Sequence, residues 1–131
     1  MRLQMAYVIA CLTAGTSFLL NRALVKLIGA QTIITLSPVI EEMLKTLFPY
    51  AFDADIFVTH VVFGLIEAIY DWVQTRGRIA ALLSIGGHGL FGLATVLTAQ
   101  AAGVYIGLAA GIVTHLLWNT IMVRFPLRSA E

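Results

Sequence analysis

Charge is scarce in this chain. Only 11% of its 131 residues are Asp, Glu, Lys or Arg, against about 25% in an ordinary soluble domain. Cysteine occurs once, at Cys11, which excludes an intrachain disulfide and a thiolate metal cluster. A lone Cys in apolar surroundings reads as a small buried hydrophobe. Proline occurs 3 times, and Pro38, Pro49 and Pro126 each mark the edge of an apolar run. The net charge of +1 leaves no basic patch, and no nucleic-acid motif is present, so no nucleic-acid partner is expected.

What remains is hydrophobic: 60% of the residues, in runs of membrane-spanning length from end to end. The expected fold is all-α, a polytopic transmembrane helical bundle of five to six membrane helices. Residues 1–131 form a single integral-membrane domain, with a motif-bearing core over about 37–123 and the lipid bilayer as its surroundings. The first span covers about 3–20 and ends at Asn21-Arg22. A second apolar stretch runs over 23–36, and Ser37-Pro38 then starts a helix, Ser as N-cap and Pro at the first helical position. That helix stops near Pro49. Further spans cover 55–73, 79–99 and 104–123, divided by the basic turn 74–78 and the turn 100–103.

The stretch 23–50 reads either as two short helices or as one long kinked span. With one span, Arg22, Lys26, Arg76, Arg78, Arg124 and Arg128 share a side, opposite Arg2, Asp53 and Asp55. The positive-inside rule places that basic side in the cytoplasm.

Against this apolar background stand Glu41, Glu42, Glu67, His88, His115 and Asn119. A charge at bilayer depth costs roughly 2.5–3.5 kcal/mol on insertion scales, so it needs a partner or a function. Glu41 lies 12 residues before Asp53, Glu67 12 after Asp55, His88 12 before Gln100 and His115 12 after Gly103. At 1.5 Å rise per residue all four sit about 18 Å from one face. Lys45 is placed to neutralise Glu41 (i,i+4) or Glu42 (i,i+3). Asp71 lies nearer the basic turn, suited to pair with Arg76 or Arg78, and His60 nearer the opposite turn, suited to a structural hydrogen bond. Gly103, Gly107 and Gly111 share a face with His115 and Asn119, and Gly86, Gly87, Gly89 and Gly92 crowd around His88. Such small residues let neighbouring helices approach closely.

Two chemistries fit these residues. A Glu in a low-dielectric cavity is a general base for water, with His or Asn donating to a developing oxyanion. Alternatively Glu67, His88 and His115 hold a divalent metal such as zinc, with Glu41 or Glu42 as base. A proton or ion pathway uses the same residue types, and each residue taken singly is also compatible with a plain interhelical hydrogen bond.

The motifs then follow in a familiar order. Pro38-Val39-Ile40-Glu41-Glu42-Met43-Leu44-Lys45 reads as E-E-x-x-K, Phe63-Gly64-Leu65-Ile66-Glu67 as F-x-x-x-E, His88 stands alone, and His115-Leu116-Leu117-Trp118-Asn119 reads as H-x-x-x-N. Over 38–119 the chain resembles the PrsW family of intramembrane proteases, relatives of the CAAX-processing and bacteriocin-processing proteases and of the presenilin-associated scaffold subunit. CAAX-type relatives carry His where this chain has Glu67, and Arg one residue beyond the position of Lys45. The resemblance implies cleavage of membrane-embedded or membrane-proximal peptides in a prokaryotic cell membrane. The Glu pair would activate water, Glu67 and His88 would position water or a metal, and His115 and Asn119 would steady the intermediate. The chain is shorter than typical members, which is compatible with a minimal core, a homo-oligomer or a subunit. The scaffold relative shows that such a chain can also be non-catalytic, and a small proton- or ion-coupled transporter is the other alternative.

Overall fold

The computed structural model describes residues 2–74 and 77–124. Arg76, Pro126 and Arg128 lie outside them. Five α-helices, α1 (Arg2–Leu27), α2 (Leu36–Ala51), α3 (Ile56–Val73), α4 (Gly77–Ala102) and α5 (Val104–Arg124), make an all-α bundle, with a 3₁₀ segment (Ala30–Ile34) before α2. Four of them, α1, α3, α4 and α5, are long and apolar enough to cross a membrane, as in a multi-pass membrane protein. The five helices among the described residues agree with the lower end of the five to six expected, α2 being the short one. With 16 residues, α2 reaches about 24 Å, short of a hydrocarbon core roughly 30 Å thick, and it carries Glu41, Glu42 and Lys45.

The first helix runs past the polar pair Asn21-Arg22, which the sequence suggests as its end, because nothing there stops it. Leu24, Val25, Lys26 and Leu27 continue the helix, and Asn21 turns inward to a partner. The stop comes at Gly29, whose φ of 112° suits glycine after a helix end. Its N–H and that of Ile28 bond back to Val25 and Leu24. Nor does α2 begin with Ser37 as cap. Thr35 occupies the N-cap position without a side-chain bond, and Ser37 and Pro38 fall within the first turn, where a missing N–H costs nothing. By contrast α3 opens on a built cap: Asp55 accepts from the Val58 N–H at 2.9 Å.

The helices close into a ring. α1 packs on α2 and α3, α3 on α4, α4 on α5, and α5 returns to α2, which also touches α3. α1 approaches through a stripe of small residues, Ala6, Ala10, Ala14 and Ser17, all buried. Arg2 pairs with Asp53 at 2.8 Å, so the start of α1 and the α2–α3 turn share one face. Following the helices from there puts Arg22, Lys26, Arg78 and Arg124 at the other face, the arrangement expected for one returning stretch between α1 and α3. Of the predicted glycine stripe, Gly103 is a turn residue with φ 95° and open space around it; Gly107 and Gly111 make the close contacts with α4.

Candidate active site

Glu42 is the centre of a buried polar cluster. Its Oε1 receives Lys45 Nζ at 2.7 Å and His115 Nδ1 at 2.9 Å, and its Oε2 receives His60 Nε2 at 2.9 Å. Side chains from α2, α3 and α5 thus converge on one carboxylate, and both the Glu42 and Lys45 side chains are 0% exposed. His60 anchors its other nitrogen, Nδ1, on the Ile56 carbonyl at 2.9 Å. A charge pair taken fully out of water holds only when its remaining lone pairs are met, and here three donors meet them.

From Lys45 the network continues outward. Its ammonium group lies 3.0 Å from His88 Nδ1 and 4.5 Å from the centre of the Phe63 ring. An ammonium only donates, so His88 Nδ1 accepts and the ring proton sits on Nε2. That proton is given to Glu67 Oε2. Glu67, its side chain 41% exposed, is where the relay reaches open space. Glu41 is treated differently from its neighbour. Its Oε1 accepts from Asn21 Nδ2 at 2.7 Å, while its Oε2 stands 3.8 Å from Lys45 Nζ, beyond hydrogen-bond reach. One carboxylate oxygen is therefore held and the other keeps a lone pair.

Glu41, Glu67, His88 and His115 line a cavity of about 1350 Å³ walled by Phe63, Phe91 and Trp118 and flanked at the basic face by Arg22, Lys26 and Arg78. The His115 ring stacks on Phe91 at 4.2 Å between centroids. With Nδ1 bound to Glu42, its Nε2 has no partner among the described residues and is the nitrogen left to the cavity. Asn119 also lines the cavity, but its Nδ2 donates to the Ile33 carbonyl at 3.1 Å, so it ties α5 to the 3₁₀ segment and is not bonded into the Glu42 cluster. Asp71 accepts from Ser84 at 3.1 Å; a pairing with Arg76 falls outside the described residues.

Glycines make the seats for this cluster. A Cβ on Gly64 would come 2.6 Å from His88 Cβ, one on Gly92 2.7 Å from His60 Cβ, and one on Gly111 2.9 Å from Glu42 Oε2 while overlapping Thr95 Oγ1. No side chain larger than hydrogen fits at these points without shifting a site residue. Gly86 and Gly89, by contrast, face open space and do not crowd His88.

Sequence spacing brings Glu41, Glu42, Lys45, Glu67, His88 and His115 together, and the structure joins them. It also adds His60, which the position near the α2–α3 turn had marked as structural. With His60 the cluster extends beyond the level expected for Glu41, Glu67, His88 and His115: from His60 to Glu67 it climbs about 10 Å along α3. Asn21, Ser17 and Ser37 are further residues at the cavity that the spans drawn from sequence had left at helix ends or in the lipid. Their signal is faint: Ser17 and Asn21 are i,i+4 on one face, in line with the buried alanines.

The proposed metal ligands do not surround a common point. Among the described residues no group of three His, Cys, Asp or Glu side chains is placed to hold one ion. Both His88 nitrogens are engaged, one of them facing an ammonium, a poor neighbour for a cation. Comparison of the chain with known protein families and characterised proteins, and of its fold with solved structures, finds no match.

Proposed function

We propose that this chain is an intramembrane endopeptidase of the PrsW-like kind, acting in a prokaryotic cell membrane on membrane-embedded or membrane-proximal peptides. The observation that carries the reading is the state of Glu41: on the cavity wall, one oxygen fixed by Asn21 and the other short of Lys45. A carboxylate oriented in this way in an apolar bundle is suited to take a proton from water.

In the proposed reaction the water oxygen attacks the peptide carbonyl carbon as Glu41 accepts the water proton. The carbonyl oxygen takes up the negative charge of the tetrahedral intermediate. His115 faces that charge from the cavity wall, and with Nδ1 bound to Glu42 its Nε2, when it carries a proton, is the atom that donates to the oxyanion. The second N–H of Asn119 is available for the same purpose. Collapse breaks the C–N bond, and the proton on Glu41 passes to the leaving amine. Glu67, tied through His88 to Lys45, keeps the inner cavity polar enough to admit water. Glu42 and Lys45 hold the framework.

The test is purification of the chain in detergent, incubation with a library of transmembrane peptides, and mass spectrometry of the products for wild type and Glu41→Gln. Cleavage by wild type only, with one ¹⁸O entering the new carboxyl group from H₂¹⁸O, supports hydrolysis with Glu41 as base. Equal cleavage by both removes Glu41 from that role, and no cleavage by either favours a scaffold of this fold. Metal content of the purified protein, measured alongside, tests the zinc alternative, which requires stoichiometric metal that is lost on changing His88 or His115.

A further inference from the structure

We infer that Ser17, Asn21 and Ser37 form a seat for a single water molecule against Glu41. The inference builds on the peptidase reading by assigning this water as its nucleophile. Ser17 and Ser37 are 1% and 4% exposed. Their Oγ atoms and Asn21 Oδ1 are buried and have no hydrogen-bond partner among the described residues. All three side chains line the same cavity as Glu41, and Asn21 Nδ2 already grips Glu41 Oε1 at 2.7 Å.

Most threonine hydroxyls of the described helices find a local partner, whereas those of Ser17 and Ser37, like those of Thr46 and Thr95, do not. Thr16, Thr35, Thr59, Thr114 and Thr120 each donate to the carbonyl four residues earlier, and Thr13 and Thr32 to the carbonyl three earlier. Local back-bonding is the ordinary way to satisfy a hydroxyl in an apolar helix, and Ser17 and Ser37 do not use it. A buried polar atom left unmet costs about 1–3 kcal/mol. Three of them on residues that line the cavity of Glu41 call for a partner from outside the chain.

Water fits that role. It makes two to four hydrogen bonds in a buried site, giving its two protons to Glu41 Oε2 and Asn21 Oδ1 and accepting at one lone pair from the Ser17 or the Ser37 hydroxyl, the two alternating as donor. One lone pair is then left to face a carbonyl carbon. An all-oxygen set also suits a hard cation, but the Lys45 ammonium 3.8 Å from Glu41 Oε2 already supplies positive charge there and would repel a second. Asn21 is thus a positioning residue twice over, through Nδ2 for the base and through Oδ1 for the water. The first helix, outside the region of motif resemblance, becomes part of the site.

The experiment is infrared difference spectroscopy of the full chain in vesicles, exchanged between H₂¹⁶O and H₂¹⁸O, together with peptide turnover. Wild type should show a sharp bound-water O–H band that shifts with ¹⁸O. The band should vanish in Ser17→Ala/Ser37→Ala and in Asn21→Ala, and persist in Thr46→Val, which removes another unpartnered buried hydroxyl that does not line the cavity. Thermal unfolding close to wild type confirms that each single and double variant is folded. With a cleaved peptide, kcat should fall about tenfold to a hundredfold in the seat variants while KM stays within about twofold. A band unchanged by the seat variants, or one that tracks sodium concentration, overturns the inference. A band lost as expected in a protein that cleaves nothing leaves the water seat standing and overturns the peptidase reading instead.

Discussion

Glu41 and Glu42 are adjacent in sequence, yet they belong to different worlds. Glu42 faces inward, with three donors on its two oxygens and no exposure. Glu41 faces the cavity, with one oxygen held by Asn21 and the other free to act. The histidines divide in the same way: His60 is bonded at both nitrogens, while His115 keeps Nε2 for the cavity. The contrast teaches that acidic and basic residues inside a membrane bundle do two jobs. A closed half satisfies its own charges and joins α2, α3 and α5; an open half depends on the closed one for its orientation.

The comparison can be broken by exchanging the properties of the two halves. The largest effect is expected at Glu41→Gln, which should lower kcat about 10²–10⁴-fold with little change in unfolding temperature, measured on the same preparation. Lys45→Met should do the reverse of a purely catalytic change. It leaves Glu42 buried without its cation, and stability should fall by about 3–5 kcal/mol in denaturant titration in detergent. Gly64→Ala and Gly92→Ala, which push a methyl group against His88 and His60, should each cost about 1–3 kcal/mol by the same titration. The smallest effect belongs to the surface: Asp53→Asn, breaking the exposed pair with Arg2, should change stability by no more than about 0.5 kcal/mol.

Much of this was legible in the sequence because apolar helices have few ways to use a carboxylate. Equal counting from the turns brings Glu41, Glu67, His88 and His115 to one region, and i,i+3 spacing gives Lys45 to Glu42. Counting treats each helix as a rod of known ends crossing the membrane at one angle, and it fails where that picture fails. His60 lies only five residues beyond Asp55, too shallow for the common level, yet Glu42 reaches it. Asn21-Arg22 looks like the end of a span because Asn is polar; the structure satisfies Asn21 on Glu41 twenty residues away, which no local pattern reveals. Ser37 before Pro38 has the form of a cap, but Thr35 takes that position and Ser37 turns to the cavity. The same limit applies to the glycines, since sequence locates them but cannot say that Gly103 makes a turn while Gly111 makes room for Glu42.

The division between the open and the closed carboxylate is tested most directly by assaying Glu41→Gln and Glu42→Gln side by side, for transmembrane-peptide turnover and for unfolding temperature. The peptidase reading predicts that Glu41→Gln is folded like wild type and inactive, and the burial of Glu42 predicts that Glu42→Gln unfolds at distinctly lower temperature. Wild-type turnover in Glu41→Gln, or a Glu42→Gln variant as stable as wild type, would contradict it.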